Sequence, residues 1–131
     1  MTTDALEVGV LSRLDCLALL RTISVGRVAF TYRAMPAIVP VSFALVRDAI
    51  VVVSQDRSLL DYADDRAVVA FQADRGELGD RDSWSVMCVG RIRRLGAADQ
   101  DPQMLGIDSE LLHGRRFLRE SFTDVGFLAG G

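Results

Sequence analysis

Ser54, Arg57 and Ser58 fall within the short stretch SQDRSLLD, where an apolar run ends and a helical pattern begins. A helix starting at Ser58, with Asp61 three residues on, presents unpaired backbone N–H groups and a partial positive charge at its first turn. Two hydroxyls and a guanidinium beside such an end are the donors that a phosphate monoester takes. Every basic residue in the chain is Arg and none is Lys. Any anion site must therefore use guanidinium forks or backbone amides.

Other chemistries find little to work with. His113 is the only histidine, which leaves no Ser–His or Cys–His pair with a second imidazole in reserve. Two separated cysteines, Cys16 and Cys88, and that one His match no zinc spacing, and DYADDR has the composition of a solvated helix face. No phosphate-loop or dinucleotide fingerprint is present. The cysteines sit in apolar surroundings and are expected as isolated small hydrophobes. A formal charge of -3, with the Arg residues scattered, argues against nucleic acid as a partner. No stretch approaches the ~20 apolar residues of a membrane helix. MTTDALEVG lacks the basic start and apolar centre of a signal peptide, so a cytoplasmic protein is expected.

The elements that must position SQDRSLLD follow from periodicity. LSRLDCLALLRTI reads as a helix, with Ser12 at the N-cap, Leu11 stapling against Cys16, and Cys16, Leu19, Leu20 and Ile23 on one stripe. The period changes to two at Val25, predicting a strand to Arg33. RAMP is the expected turn, AIVPVSFALV a strand apolar on both faces, and AIVVVSQ a third strand. Pro40 stands inside the second of these, where a proline cannot donate to a ladder. A short helix follows at SLLDYADDR, then the strand AVVAFQAD, a polar loop at RGELGDRDS and the long strand WSVMCVGRIRRL. Gly90 inside that strand marks a bulge or a close backbone approach. SELLHGRRFL reads as a last strand or a short helix. The length fits one domain, 1–131, with flexible ends at 1–10 and 120–131. Strands joined by short turns, with few small helices, indicate a mainly antiparallel sheet curled into a barrel.

In this order and spacing, LSRLDCLALLRTISVGRVAF, PAIVPVSFAL, AIVVVSQDRSLLDYADDRAVVAFQAD and SWSVMCVGRIRRL resemble the pyridoxamine 5'-phosphate oxidase-like, FMN-binding split β-barrel superfamily, in its small single-domain actinobacterial form. HGRRF is similar to a Gly-Arg-Arg segment near the end of many members. The resemblance implies a mainly β split barrel, antiparallel, Greek-key-like and six-stranded, with an N-terminal helix and a short helix after the third strand. It implies a homodimer with FMN in a groove at the interface, and an FMN-dependent oxidoreductase acting on a small-molecule substrate that the sequence does not define. By the same likeness Val39, Pro40, Val41 and Ser42 would line the isoalloxazine. Ser54, Gln55, Arg57 and Ser58 would meet the phosphate end, and Trp84 and Ser85 would reach the partner's flavin. No residue stands out as an acid or base.

One position departs from the family's pattern. The residue after Ser58 is usually Lys, a direct phosphate partner; here it is Leu59. Losing one charge-assisted hydrogen bond removes on the order of 1.5–3 kcal/mol, roughly ten- to a hundredfold in affinity. The alternative is thus a non-catalytic split-barrel ligand-binding dimer, or a relative that binds F420 or haem and has lost FMN.

Overall fold

The computed structural model describes residues 6–76, 83–97 and 99–119. Its elements run β1 (Leu6–Leu11), α1 (Arg13–Leu20), β2 (Val25–Tyr32), β3 (Met35–Val46), β4 (Ala49–Ser54), α2 (Arg57–Asp64), β5 (Val68–Arg75), β6 (Trp84–Leu95), β7 (Gln103–Ile107) and β8 (Leu111–Arg119). The polar loop expected after β5 lies mostly outside the described residues, as do 1–5 and 120–131 of the ends expected to be flexible.

All pairings are antiparallel. Six strands close on themselves in the cyclic order β2, β3, β4, β7, β6, β5, and this is the split barrel expected from the sequence. Its interior takes the inward face of each strand: Val28 and Phe30, Val41 and Phe43, Ile50 and Val52, Phe71, Ile92, Leu105 and Ile107. Phe43 and Phe71 meet edge-on with centroids 4.9 Å apart, the geometry that the ring quadrupole favours. On α1, Ser12 caps as expected, accepting from the N–H of Asp15 at 3.1 Å. Cys16, Leu17 and Leu20 form the helix's buried side, with Leu19 and Ile23 partly buried beside them. Leu59, Leu60 and Ala63 form the buried side of α2. Cys16 and Cys88 are both free and buried, and burial pushes the Cys88 thiol up to about 11.

Two strands exceed the sequence expectation. β7 is a barrel strand, pairing with β4 and β6, in a segment that gave no readable pattern. β1 pairs along its whole length with β8, the segment read as strand or helix. The turn before β3 is narrower than RAMP. Arg33 and Ala34 both adopt positive φ (51° and 64°), as a two-residue primed hairpin requires. Pro36 is therefore already in the strand, opposite Thr31.

β6 serves two partners on one edge. Trp84–Val89 pairs with β8, whereas Ile92–Leu95 pairs with β7. The change of partner falls at Gly90, where the chain of Asp108 crosses. A Cβ on Gly90 would collide with the Asp108 carbonyl oxygen. Asp108 also donates its N–H to the Arg91 carbonyl at 3.1 Å, and its own carbonyl accepts from Cys88 Sγ at 3.2 Å. The close approach expected at Gly90 is thus the fork between barrel and outer strand pair. Gly90→Ala should destabilise the fold by about 1–3 kcal/mol, the usual cost of an overpacked site. Gly9→Ala, whose Cβ would meet only the Arg116 carbonyl at 4.0 Å, should stay within about 0.5 kcal/mol of wild type. Denaturant midpoints of the two variants check the contrast.

Candidate functional site

β3 and β4 share a ladder only from Ser42↔Val53 to Val46↔Ala49. Before Ser42, β3 keeps β2 on one side and has no strand on the other among the described residues. Beyond Val53, β4 continues to Ser54, opposite Gln103 of β7. The strands part at this point, and the opening is a groove of about 690 Å³. Val25, Val39 to Ser42 and Val53 to Asp56 line it, with Pro102 at the far side.

The backbone alternation explains Pro40. Phe43 donates its N–H to the Ser24 carbonyl at 2.9 Å, so the odd residues of β3 turn their backbone groups to β2. The even ones, Pro36, Ile38 and Pro40, turn theirs to the open side. A proline there removes no ladder bond; it leaves an edge with a carbonyl acceptor and no N–H of its own. Pro40 is exposed and borders the groove.

The helix end beside the groove is built differently from the sequence expectation. α2 begins at Arg57, and its N-cap is Asp56, not Ser58. The Asp56 carboxylate accepts from the Leu59 N–H at 3.1 Å and from the Ser58 hydroxyl at 2.5 Å. Ser54 Oγ in turn accepts the Asp56 N–H at 3.0 Å. The Ser58 hydroxyl bond above all, with the N–H groups of Leu59 and Ser58, holds the Asp56 carboxyl below the usual range against partial burial. Both hydroxyls singled out in the sequence are thus bonded to the chain's own Asp56, which supplies the negative charge that the first turn of the helix favours. Leu59 is fully buried in the core. The residue after Ser58 here serves packing.

Of the ten residues singled out in the sequence, the groove gathers Val39, Pro40, Val41, Ser42, Ser54 and Gln55. Arg57 lines an adjoining cavity of about 340 Å³, together with Arg94 and Asp101, which meets the groove at Ser54 and Gln55. Arg57 has no ion-pair partner among the described residues, whereas Arg94 grips Asp64 through two bonds of 2.7 and 3.1 Å. Gln55 donates to Asp101 at 2.7 Å across the junction. Ser58 faces Asp56. Trp84 is 2% exposed, packed into the core of its own chain, while Ser85 next to it faces outward into a third cavity. Val25, Val53, Asp56 and Pro102 are the groove-lining residues that sequence reasoning missed; the first two lie in predicted strands but were not singled out, and Asp56 lies in the predicted loop. The capping preference of Asp was the signal for Asp56. No group of three or more His, Cys, Asp or Glu able to hold a metal occurs among the described residues, and none of their helices is long and apolar enough to cross a membrane.

A match to the pyridoxamine 5'-phosphate oxidase family spans residues 12–122. The chain belongs to that family. An uncharacterized protein of Mycobacterium tuberculosis is 32% identical over 115 residues, which cover 84% of this chain and 73% of that one. Among solved structures, an FAD binding protein from Mycobacterium smegmatis superposes with a TM-score of 0.70 at 25% identity, over 85% of this chain and 99% of its own. An FAD-binding protein from Mesorhizobium loti shares the fold with a TM-score of 0.72 at 21% identity, over 86% and 98%. The family match takes in both β3 and the Asp56-capped helix.

Because the folded state depresses its pKa, the Asp56 carboxylate gives its full stabilisation above the unfolded-state value, and this is lost as pH falls through the folded value. Asp56→Ala should cost about 1 kcal/mol at neutral pH, the usual worth of a cap. The gap to wild type should narrow below about pH 4. Asp56→Asn, which still caps, should lose much less at neutral pH. Urea titrations of the three proteins at several pH values measure this.

Proposed function

We propose that this chain is a flavin-binding protein that holds FMN in the groove between β3 and β4 and serves as an FMN-dependent oxidoreductase, working as a homodimer on a small-molecule substrate. The observation that carries this is the open edge of β3. Val39 to Ser42 offer a flat, largely apolar strand surface, with Pro40 supplying a carbonyl acceptor and no competing donor. That suits the edge of a planar ring carrying an imide N–H. The groove volume falls within the ordinary range of small-ligand sites. Two structural relatives are FAD-binding proteins, which supports flavin as the class of ligand.

The isoalloxazine would supply the redox chemistry, accepting and returning hydride or electrons. The chain's residues bind and orient. β3 sets the plane of the ring, while Ser54 and Gln55 lead to the adjoining cavity where Arg57, the unpaired guanidinium, takes the phosphate. Asp56 opposes that charge from the groove wall. A second copy of the chain is the natural cover for the exposed apolar residues of this face, Val25 and Ile38, which are 59% and 68% exposed.

The buried Leu59 and the Asp56 cap favour a second reading, a ligand-binding dimer of this fold that has given up the flavin phosphate. Titration with FMN, following the quenching of its fluorescence, separates the two. Saturable quenching with one FMN per chain is expected. Arg57→Ala should weaken it about tenfold or more, the worth of a charge-assisted hydrogen bond. Asp56→Asn should tighten it about fivefold by relieving roughly 1 kcal/mol of like-charge repulsion. A protein that neither quenches FMN nor gains thermal stability from FMN or FAD would leave the second reading in place.

A further inference from the structure

The cavity that adjoins the groove at Ser54 and Gln55 carries an uneven set of charges. Its cations are Arg57 and Arg94, and its carboxylates are Asp99 and Asp101, both exposed just ahead of β7. Arg94 is already committed to Asp64, at 2.7 and 3.1 Å. Asp101 accepts one uncharged hydrogen bond, from the Gln55 amide at 2.7 Å, and neither it nor Asp99 is ion-paired among the described residues. Asp56 adds a third carboxylate from the groove side of the same junction. One free guanidinium, Arg57, therefore stands among three carboxylates that no cation neutralises.

The helix end beside Arg57 offers little in compensation. The Asp56 carboxylate takes the Ser58 hydroxyl and the Leu59 N–H, and the Asp56 carbonyl takes the Leu60 N–H at 3.0 Å. The chain has no Lys, and no His lines either the groove or this cavity. A phosphate monoester bears one negative charge below its second pKa, about 6, and two above it. Arg57 matches the first charge with its fork. The second charge would have no cation of its own and would meet Asp56, Asp99 and Asp101.

We infer that Arg57 and these three carboxylates form a subsite for a singly charged phosphate, so that the chain takes the FMN ester as its monoanion and binding is coupled to proton uptake. The inference rests on the flavin reading above, and it gives the carboxylates of the cavity a task, the choice of charge state. A preference for the monoanion raises the pKa of the phosphate on binding. Affinity is then full below the free value, about 6, and falls as pH rises through it, levelling off above the bound value.

FMN and riboflavin, which lacks the phosphate, are each titrated into the protein by fluorescence quenching at about pH 5.5 and about pH 8, either side of that pKa. The ³¹P signal of bound FMN is followed over the same range. FMN is expected to bind about fivefold or more weakly at the higher pH, riboflavin to bind alike at both, and the bound phosphate to titrate above its free value. The double variant Asp99→Asn, Asp101→Asn, changed at exposed positions, should shrink the pH effect on FMN. FMN that binds equally at both pH values, or more tightly at the higher, overturns the inference and leaves the flavin reading standing. So does FMN that binds no differently from riboflavin throughout, or a pH effect that survives unchanged in the double variant. A protein that binds neither flavin at either pH overturns both.

Discussion

The close approach of the Asp108 carbonyl to Gly90 is the contact on which the rest of the architecture depends. β6 is too long for one neighbour, and its outer edge is divided between β8 and β7 at this point. Without a side chain on residue 90, Asp108 can cross against the strand and hand the edge from one partner to the other. β7 then reaches β4 and closes the barrel, while β8 leaves with β1 as an outer pair. One missing Cβ thus fixes both the closed core and the broad outer sheet.

Closure at β7 also decides where the barrel opens. β4 is held by β7 up to Ser54, so it cannot follow β3 past Ser42, and the two strands separate. The resulting edge would be a liability if it offered a full row of donors and acceptors. Pro36 and Pro40 fall at the positions whose backbone faces that edge, which removes donors where a further strand would need them. A proline that looks misplaced within an apolar run is thereby a device that keeps the edge free of strand pairing. The helix end alongside carries its own counter-charge in Asp56, so in the proposed flavin reading it is Arg57 beyond it that would meet the phosphate.

Much of this was legible in the sequence, for identifiable reasons. Period-two alternation identified β2, a run apolar on both faces marked β3, and the Ser12 cap placed α1. Gly90 stood out because glycine inside a long strand needs a cause. β7 was not legible: five residues with an internal glycine carry too little alternation to show a period, and their burial comes from β4 and β6 rather than from local pattern. β1 was hidden for a related cause, since LEVGVL owes its strand to pairing with β8 across the whole chain. The helix start after β4 was read in the right place with the wrong cap. Asp56 and Ser58 are both good capping residues, and only the position of the helix start decides between them. Trp84 was legible as a strand start but not as a buried side chain, because burial there depends on β8.

The central claim is that the free edge of β3 is where the flavin lies. A crystal structure of the protein grown with FMN tests it most directly. The ring is predicted to lie along Val39 to Ser42, with its phosphate past Ser54 near Arg57. Flavin bound elsewhere, or a groove left empty at saturating FMN, would contradict it.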